Sequence, residues 1–215
     1  MISKHFALPN NIDHLIYTAP DLEAGMDQIE DILGVRPVPG GQHHDFGTHN
    51  ALLSLGPCTY LEVMAPDPSL KSPEQGLLFQ GYFSQGPGLT RWVIATEEIE
   101  QLAEHSKAGG LDLGEVQSGS RENPDGTVLS WKLTDPRVMP LGGAVPFLIS
   151  WGNTPHPARS APRAGELVGF RIEHPRAAEV RETLELIGVK VTVTKAQRVR
   201  LFAIIKTEKG EVELY

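Results

Sequence analysis

One pattern constrains this 215-residue chain more than any other. A short strand, a helix and three further strand-like runs follow one another three times. Ile12–Thr18 (IDHLIYT) opens the first unit. In the helix after it, Asp21 is placed to cap, Leu22, Met26, Ile29 and Leu33 share one face, and Gly34 ends the element. Residues 35–38, 50–55 and 59–64 then read as strands. The second unit repeats the order with a strand at 89–95, a helix at 97–107 turning Ile99, Leu102 and Ala103 inward, and strands near 113–117, 128–133 and 147–151. The third has a strand at 168–172, a helix carrying Val180, Leu184 and Ile187, and strands at 189–194, 199–205 and 211–214. The helix exits EDILGVRPV and LELIGVKVT of the first and third units match in their Gly-Val-basic step. Linkers at 66–88, with four prolines, and at 152–166 divide the chain into expected modules 9–65, 89–152 and 166–215, packed as one or two compact domains.

Composition narrows the function classes. Nineteen basic against 27 acidic residues leave a net charge of −8, and no basic run reaches five residues, which argues against nucleic-acid binding. A mean hydropathy of −0.19 and 40% hydrophobic residues describe an ordinary globular chain. No apolar run approaches the roughly 18 residues of a membrane span, and the first ten residues do not read as an export signal. The single cysteine, Cys58, excludes an intrachain disulfide and a multi-cysteine zinc site. A cytoplasmic protein is the expectation, paired as a homodimer through exposed strand edges.

IDHLIYTAPDLEAG followed by GTHNALLSLGPCTYLEVMAPDP resembles the glyoxalase-like domains of the vicinal oxygen chelate superfamily, which also holds bleomycin-resistance proteins and extradiol dioxygenases. SRENPDGTVLSWKL and PFLISWGNTPHP look like the same group. The resemblance implies an α+β fold of paired β-α-β-β-β modules whose mixed, curved sheets form a cup. In metal-using members the ligands come from the first and last strands of a module. Carried over by position, the resemblance places His14 and Glu62 in the first unit and Glu213 in the third as metal ligands. The second unit departs, with Arg91 at its first-strand place and Ile149 or Ser150 at its last, and the third has Gly169 at its first.

The residues themselves allow two solutions. Strand alternation turns His14 the same way as Ile12 and Ile16, and Glu62 the same way as Tyr60 and Met64. A carboxylate among apolar neighbours needs a partner. A divalent cation shared by imidazole and carboxylate supplies one, and a plain His–Glu hydrogen bond supplies the other. Five of the eight histidines precede residue 50. In GGQHHDFGTHN, read as a glycine-hinged loop, His43 and His44 are expected in solvent, and His49, next to a strand, is the candidate catalytic group beside Glu62. Arg121, beside the Asp125-Gly126 turn, and Arg91 are candidates for binding an anionic substrate group. Trp131 and Trp151 are candidate pocket walls.

The leading expectation is a divalent-metal-dependent lyase, isomerase or dioxygenase acting on a small oxygen-rich molecule. The metal-free alternative is a sequestering protein on the same fold, its cup lined by Trp92, Trp131 and Trp151.

Overall fold

A computed structural model describes residues 9, 11–70, 80–83, 86–122 and 128–215, with backbone alone at 80, 121 and 122. Twelve strands and four helices are defined among them. The first unit contains β1 (Ile12–Thr18), α1 (Leu22–Leu33), β2 (Val38–His43), β3 (Thr48–Gly56) and β4 (Thr59–Pro66). A single turn, α2 (Gln80–Phe83), precedes the second unit of β5 (Gly88–Ala95), α3 (Ile99–Ala108), β6 (Val116–Glu122), β7 (Val128–Thr134) and β8 (Phe147–Ser150). The third holds β9 (Glu166–His174), α4 (Ala177–Glu185), β10 (Thr192–Lys195), β11 (Arg200–Thr207) and β12 (Gly210–Leu214). Each unit therefore has the β-α-β-β-β order. No described helix is long and apolar enough to cross a membrane.

Pairing separates the third unit from the other two. The first two join through antiparallel β1 and β5 into one eight-stranded sheet of order β2-β3-β4-β1-β5-β8-β7-β6, curled into a half-barrel. In both, the opening strand runs parallel to the closing one, β1 beside β4 and β5 beside β8. In the third unit, β9 instead lies between parallel β10 and antiparallel β11, giving a four-stranded sheet of order β10-β9-β11-β12.

Local chemistry sets α1 on the convex face. Asp21 caps it, accepting from the Ala24 N–H at 2.9 Å, and Gly34 ends it at φ 78°. Leu22, Met26, Ile29 and Leu33 are buried against the sheet. Gly25 permits the close approach, because a Cβ there would fall 2.7 Å from that of Ala19. The main core continues between the two sheets, where Trp92 packs on Phe170 with ring centroids 4.9 Å apart.

Two local features break the expected pattern. β2 is not the strand expected at 35–38: it begins at Val38 and runs through Pro39 into the Gly40-Gly41 start of the run read as loop. It is an edge strand with a register shift between Pro39 and Gly41, a setting that tolerates proline and glycine. The other feature lies in β1, where Ile12 pairs with Ile94 and His14 with Val93, so Asp13 is an extra, bulged residue. Strict alternation therefore fails there. Ile12 joins Leu15 and Tyr17 in the main core, while His14 and Ile16 face the concave side.

Candidate functional site

The concave face of the half-barrel encloses a cleft of about 620 Å³, its open mouth included. Ile16, Met64, Leu133, Phe147 and Ile149 make its floor, and Trp131 and Trp151 form one wall with ring centroids 5.6 Å apart. His14 from β1 and Glu62 from β4 meet in this apolar setting, both at least 95% buried. The His14 ring stacks on Tyr60 at 4.5 Å and meets Phe147 edge-on at 6.1 Å.

The hydrogen bonds fix which atoms face one another. Asp13 Oδ1 lies 2.7 Å from His14 Nδ1. An ionised carboxylate only accepts, so Nδ1 carries a proton, and in a neutral ring Nε2 presents a lone pair. That nitrogen faces Glu62 Oε2 at 3.5 Å. The other Glu62 oxygen accepts from the Asn50 amide at 2.5 Å. Asn50 is oriented in turn by its own Oδ1, which accepts the Gly41 N–H at 2.9 Å. A neutral ring thus sets two acceptors against each other out of water, a costly arrangement unless a proton or a cation lies between them.

Asp13 is anchored on its far side as well. Trp151 Nε1 donates to Oδ2 at 2.9 Å, and His156 Nε2 lies 3.1 Å from the same oxygen. Because His156 Nδ1 accepts the Ala158 N–H, its Nε2 is the protonated atom and donates. Burial alone pushes the Asp13 carboxyl up; the hydrogen bonds and charges of His14 and His156 outweigh it and hold the group at about 2. The β1 bulge makes this possible, since an unbulged strand would send Asp13 to the opposite face.

The remaining candidates are scattered. His43, at the end of β2, lines the cleft with Nε2 3.8 Å from Glu62 Oε1. His49 is not among the lining residues; its Nδ1 lies 3.7 Å from Asp67 Oδ2. Arg91 is wholly buried behind the cleft wall, 5.5 Å from the Phe147 ring centre and bonded to the Val138 carbonyl at 3.4 Å. Burial pushes its pKa down to about 10. Trp92 sits in the core between the sheets, donating to the Ala144 carbonyl at 3.1 Å, and lines no part of the cup. Glu213 is on the four-stranded sheet, bound to Arg171 at 3.3 Å, and is not brought to His14 and Glu62. The Arg121 side chain and the Asp125-Gly126 turn lie outside the described residues. Asp13, His43, Asn50 and His156 were the residues sequence reasoning passed over.

The His14–Glu62 spacing fits two ligands of one metal ion as well as it fits an ion pair. Two donors each about 2.1 Å from a tetrahedral cation stand roughly 3.4 Å apart, close to the observed 3.5 Å. The Asp13–His14 hydrogen bond is the kind that orients a ligating imidazole. Among the described residues no third His, Cys, Asp or Glu completes a cluster. The residues present therefore fit an ion held by two side chains, with its other positions open.

A family model for a glyoxalase-like domain matches residues 12–188. The chain belongs to that family, and with it to the vicinal oxygen chelate superfamily. Among solved structures, a hypothetical protein from Staphylococcus aureus is similar with a TM-score of 0.60 at 15% identity, over 94% of this chain and 83% of that one. Methylmalonyl-CoA epimerase from Mycobacterium tuberculosis is similar at 20% identity and a TM-score of 0.46, over 71% of this chain and 93% of that one. A Streptomyces coelicolor methylmalonyl-CoA epimerase variant in complex with 2-nitronate-propionyl-CoA gives 15% and 0.46, over 70% and 100%. No curated protein matches the chain.

Proposed function

We propose that this glyoxalase-like protein is a divalent-metal-dependent isomerase or lyase that moves a proton on a small substrate bearing two neighbouring oxygens. The observation that carries the reading is the buried His14 Nε2 facing the Glu62 carboxylate at 3.5 Å. His14 and Glu62 would hold the ion, which when bound would polarise the substrate's oxygens and stabilise negative charge developing on them. The chain's own residues do the rest. Asp13 keeps His14 in the tautomer that offers Nε2. Asn50 holds one Glu62 oxygen so that the other turns to the imidazole. Trp131, Trp151 and Phe147 exclude water around the substrate's body. His43 replaces His49 as the group at the cleft able to accept or return a proton. Proton transfer is favoured over ring-opening dioxygenase chemistry, which typically uses two histidines and a carboxylate on one metal.

Metal analysis of the purified protein tests this. About one divalent ion per chain is expected, with affinity falling at least tenfold in folded His14→Ala and Glu62→Gln variants. Wild-type protein that takes up no divalent ion would count against the enzyme reading. The aromatic walls support a second reading, metal-free sequestration of an apolar ligand. It predicts quenching of Trp131 and Trp151 fluorescence by aromatic compounds, undiminished by a chelator.

A further inference from the structure

The linker between the half-barrel and the four-stranded sheet also reaches the His14–Glu62 site, and it is fastened on its way. Ser54 of β3 donates its N–H to the Pro162 carbonyl at 2.7 Å and accepts the Ala164 N–H at 3.0 Å, so the chain around Arg163 runs beside β3 as a short added bridge. Just beyond, Gly165 passes so close to β11 that a Cβ there would collide with the Lys206 carbonyl. Earlier in the linker, Pro157–Arg159 form one 3-10 turn, and buried Ala158 packs with Leu52 and Tyr60.

His156 stands at the entrance of that turn. Its Nδ1 accepts the Ala158 N–H at 3.2 Å, which only an unprotonated nitrogen can do, so the ring carries its proton on Nε2. That atom donates to Asp13 Oδ2 at 3.1 Å. Tyr60 and Trp151 meet the ring edge-on at 5.6 and 5.8 Å. Asp13 has two carboxylate oxygens to satisfy. Oδ1 lies beside His14 Nδ1, while Oδ2 receives His156 together with the Trp151 indole. With both donors on Oδ2, the carboxylate cannot turn about its Cβ–Cγ bond without losing one, so Oδ1 stays on His14. The Asp13 and His156 side chains are 0% and 12% exposed, and water is poorly placed to replace a lost donor.

We propose that His156 is a positioning residue: acting through Asp13, it holds the His14 imidazole with Nε2 turned to Glu62, and the linker is the part of the fold that supplies it. The proposal rests on the reading of His14 and Glu62 as ligands of one ion, but the hydrogen bond it invokes is present without the ion and is measured without it.

His156→Gln, His156→Phe and His156→Ala are compared with wild type. Glutamine keeps an N–H donor where Nε2 stood, phenylalanine keeps a ring without the donor, and alanine leaves a space that free imidazole can enter. Two quantities are read. One is solvent exchange of the His14 Nδ1 proton, by NMR of metal-free protein labelled with nitrogen-15 histidine. The other is Zn²⁺ affinity, by competition with a chromophoric chelator. In His156→Phe the proton should exchange about tenfold faster and Zn²⁺ affinity should fall about tenfold. His156→Gln should stay close to wild type in both, and added imidazole should restore His156→Ala. A role in packing alone predicts the opposite order, with phenylalanine tolerated and glutamine harmful. That order, equal losses in the two variants, or wild-type behaviour of His156→Phe overturns the proposal. Should His156→Phe fail to fold, His156→Ala decides by itself, and no recovery with imidazole overturns the proposal. Wild-type protein that takes up no Zn²⁺ overturns the metal reading, while proton exchange still decides the role of His156.

Discussion

The half-barrel and the four-stranded sheet are built from the same succession of elements, yet the cleft that brings His14 and Glu62 together belongs to the first. In the first two units the opening strand pairs with the closing strand, so β1 and β5 become neighbours at the centre of one curved sheet. In the third, β9 pairs with β10 and β11, and the sheet stays small and open-edged. Their charges follow. In the cup, Asp13 and Glu62 are buried and meet imidazole, indole and amide groups. On the four-stranded sheet, Glu173 and Glu213 meet Arg171 and Arg200 beside solvent. Acid–base pairs on an open face are a means of solvating a sheet surface. A carboxylate facing an imidazole in a closed one is costly unless a proton or an ion lies between them.

Substitutions should separate the two regions, and the largest effect belongs to Asp13. Asp13→Ala leaves the donors of His14, Trp151 and His156 without their acceptor, and denaturant unfolding should register a loss of about 3 kcal/mol. Glu62→Gln should move the other way. It removes the buried charge, so metal-free protein should gain up to about 1 kcal/mol while metal binding disappears. A large loss of stability would instead make Glu62 a structural acid, as in the other sheet.

Smaller effects test the four-stranded sheet. Arg171→Ala removes the pairs to Glu173 and Glu213 and the stacking on Phe202, at a cost of about 1 kcal/mol that shrinks in high salt. Glu173 adds a pH dependence. Burial pushes its carboxyl up, but Arg171 and Arg200 outweigh that and hold it below its ordinary 4.5. With the folded value below the unfolded one, its contribution is complete above about pH 4.5 and fades on acidification. Glu173→Gln should therefore lower stability at neutral pH and converge with wild type in acid. Glu213→Ala should change stability by less than about 0.5 kcal/mol and leave metal affinity untouched.

Sequence reasoning reached the features that depend on neighbours in the chain. β1 occupies Ile12–Thr18, α1 has its Asp21 cap and Gly34 stop, and the Glu62, Tyr60, Met64 alternation puts all three in the cleft. It could not see pairing. Nothing in the third unit's helix and strands announces that β9 exchanges its closing partner for β10, which is why Glu213 looked equivalent to Glu62. The Asp13 bulge is equally silent, because it is defined by the register against β5. Asn50 left a trace that went unused. It is a buried polar residue of β3, alternating with Leu52 toward the face where Glu62 lies. His43 was assigned to a solvent loop because Gly40 and Gly41 mimic a loop hinge, although an edge strand accommodates both.

Nitrogen-15 NMR of histidine-labelled protein, recorded before and after addition of Zn²⁺, examines the His14–Glu62 pair directly. His14 should carry its proton on Nδ1, and its Nε2 resonance should shift with one equivalent of Zn²⁺ in wild type but not in Glu62→Gln. A proton on Nε2 of a neutral His14, or an Nε2 signal indifferent to the metal, would contradict the account.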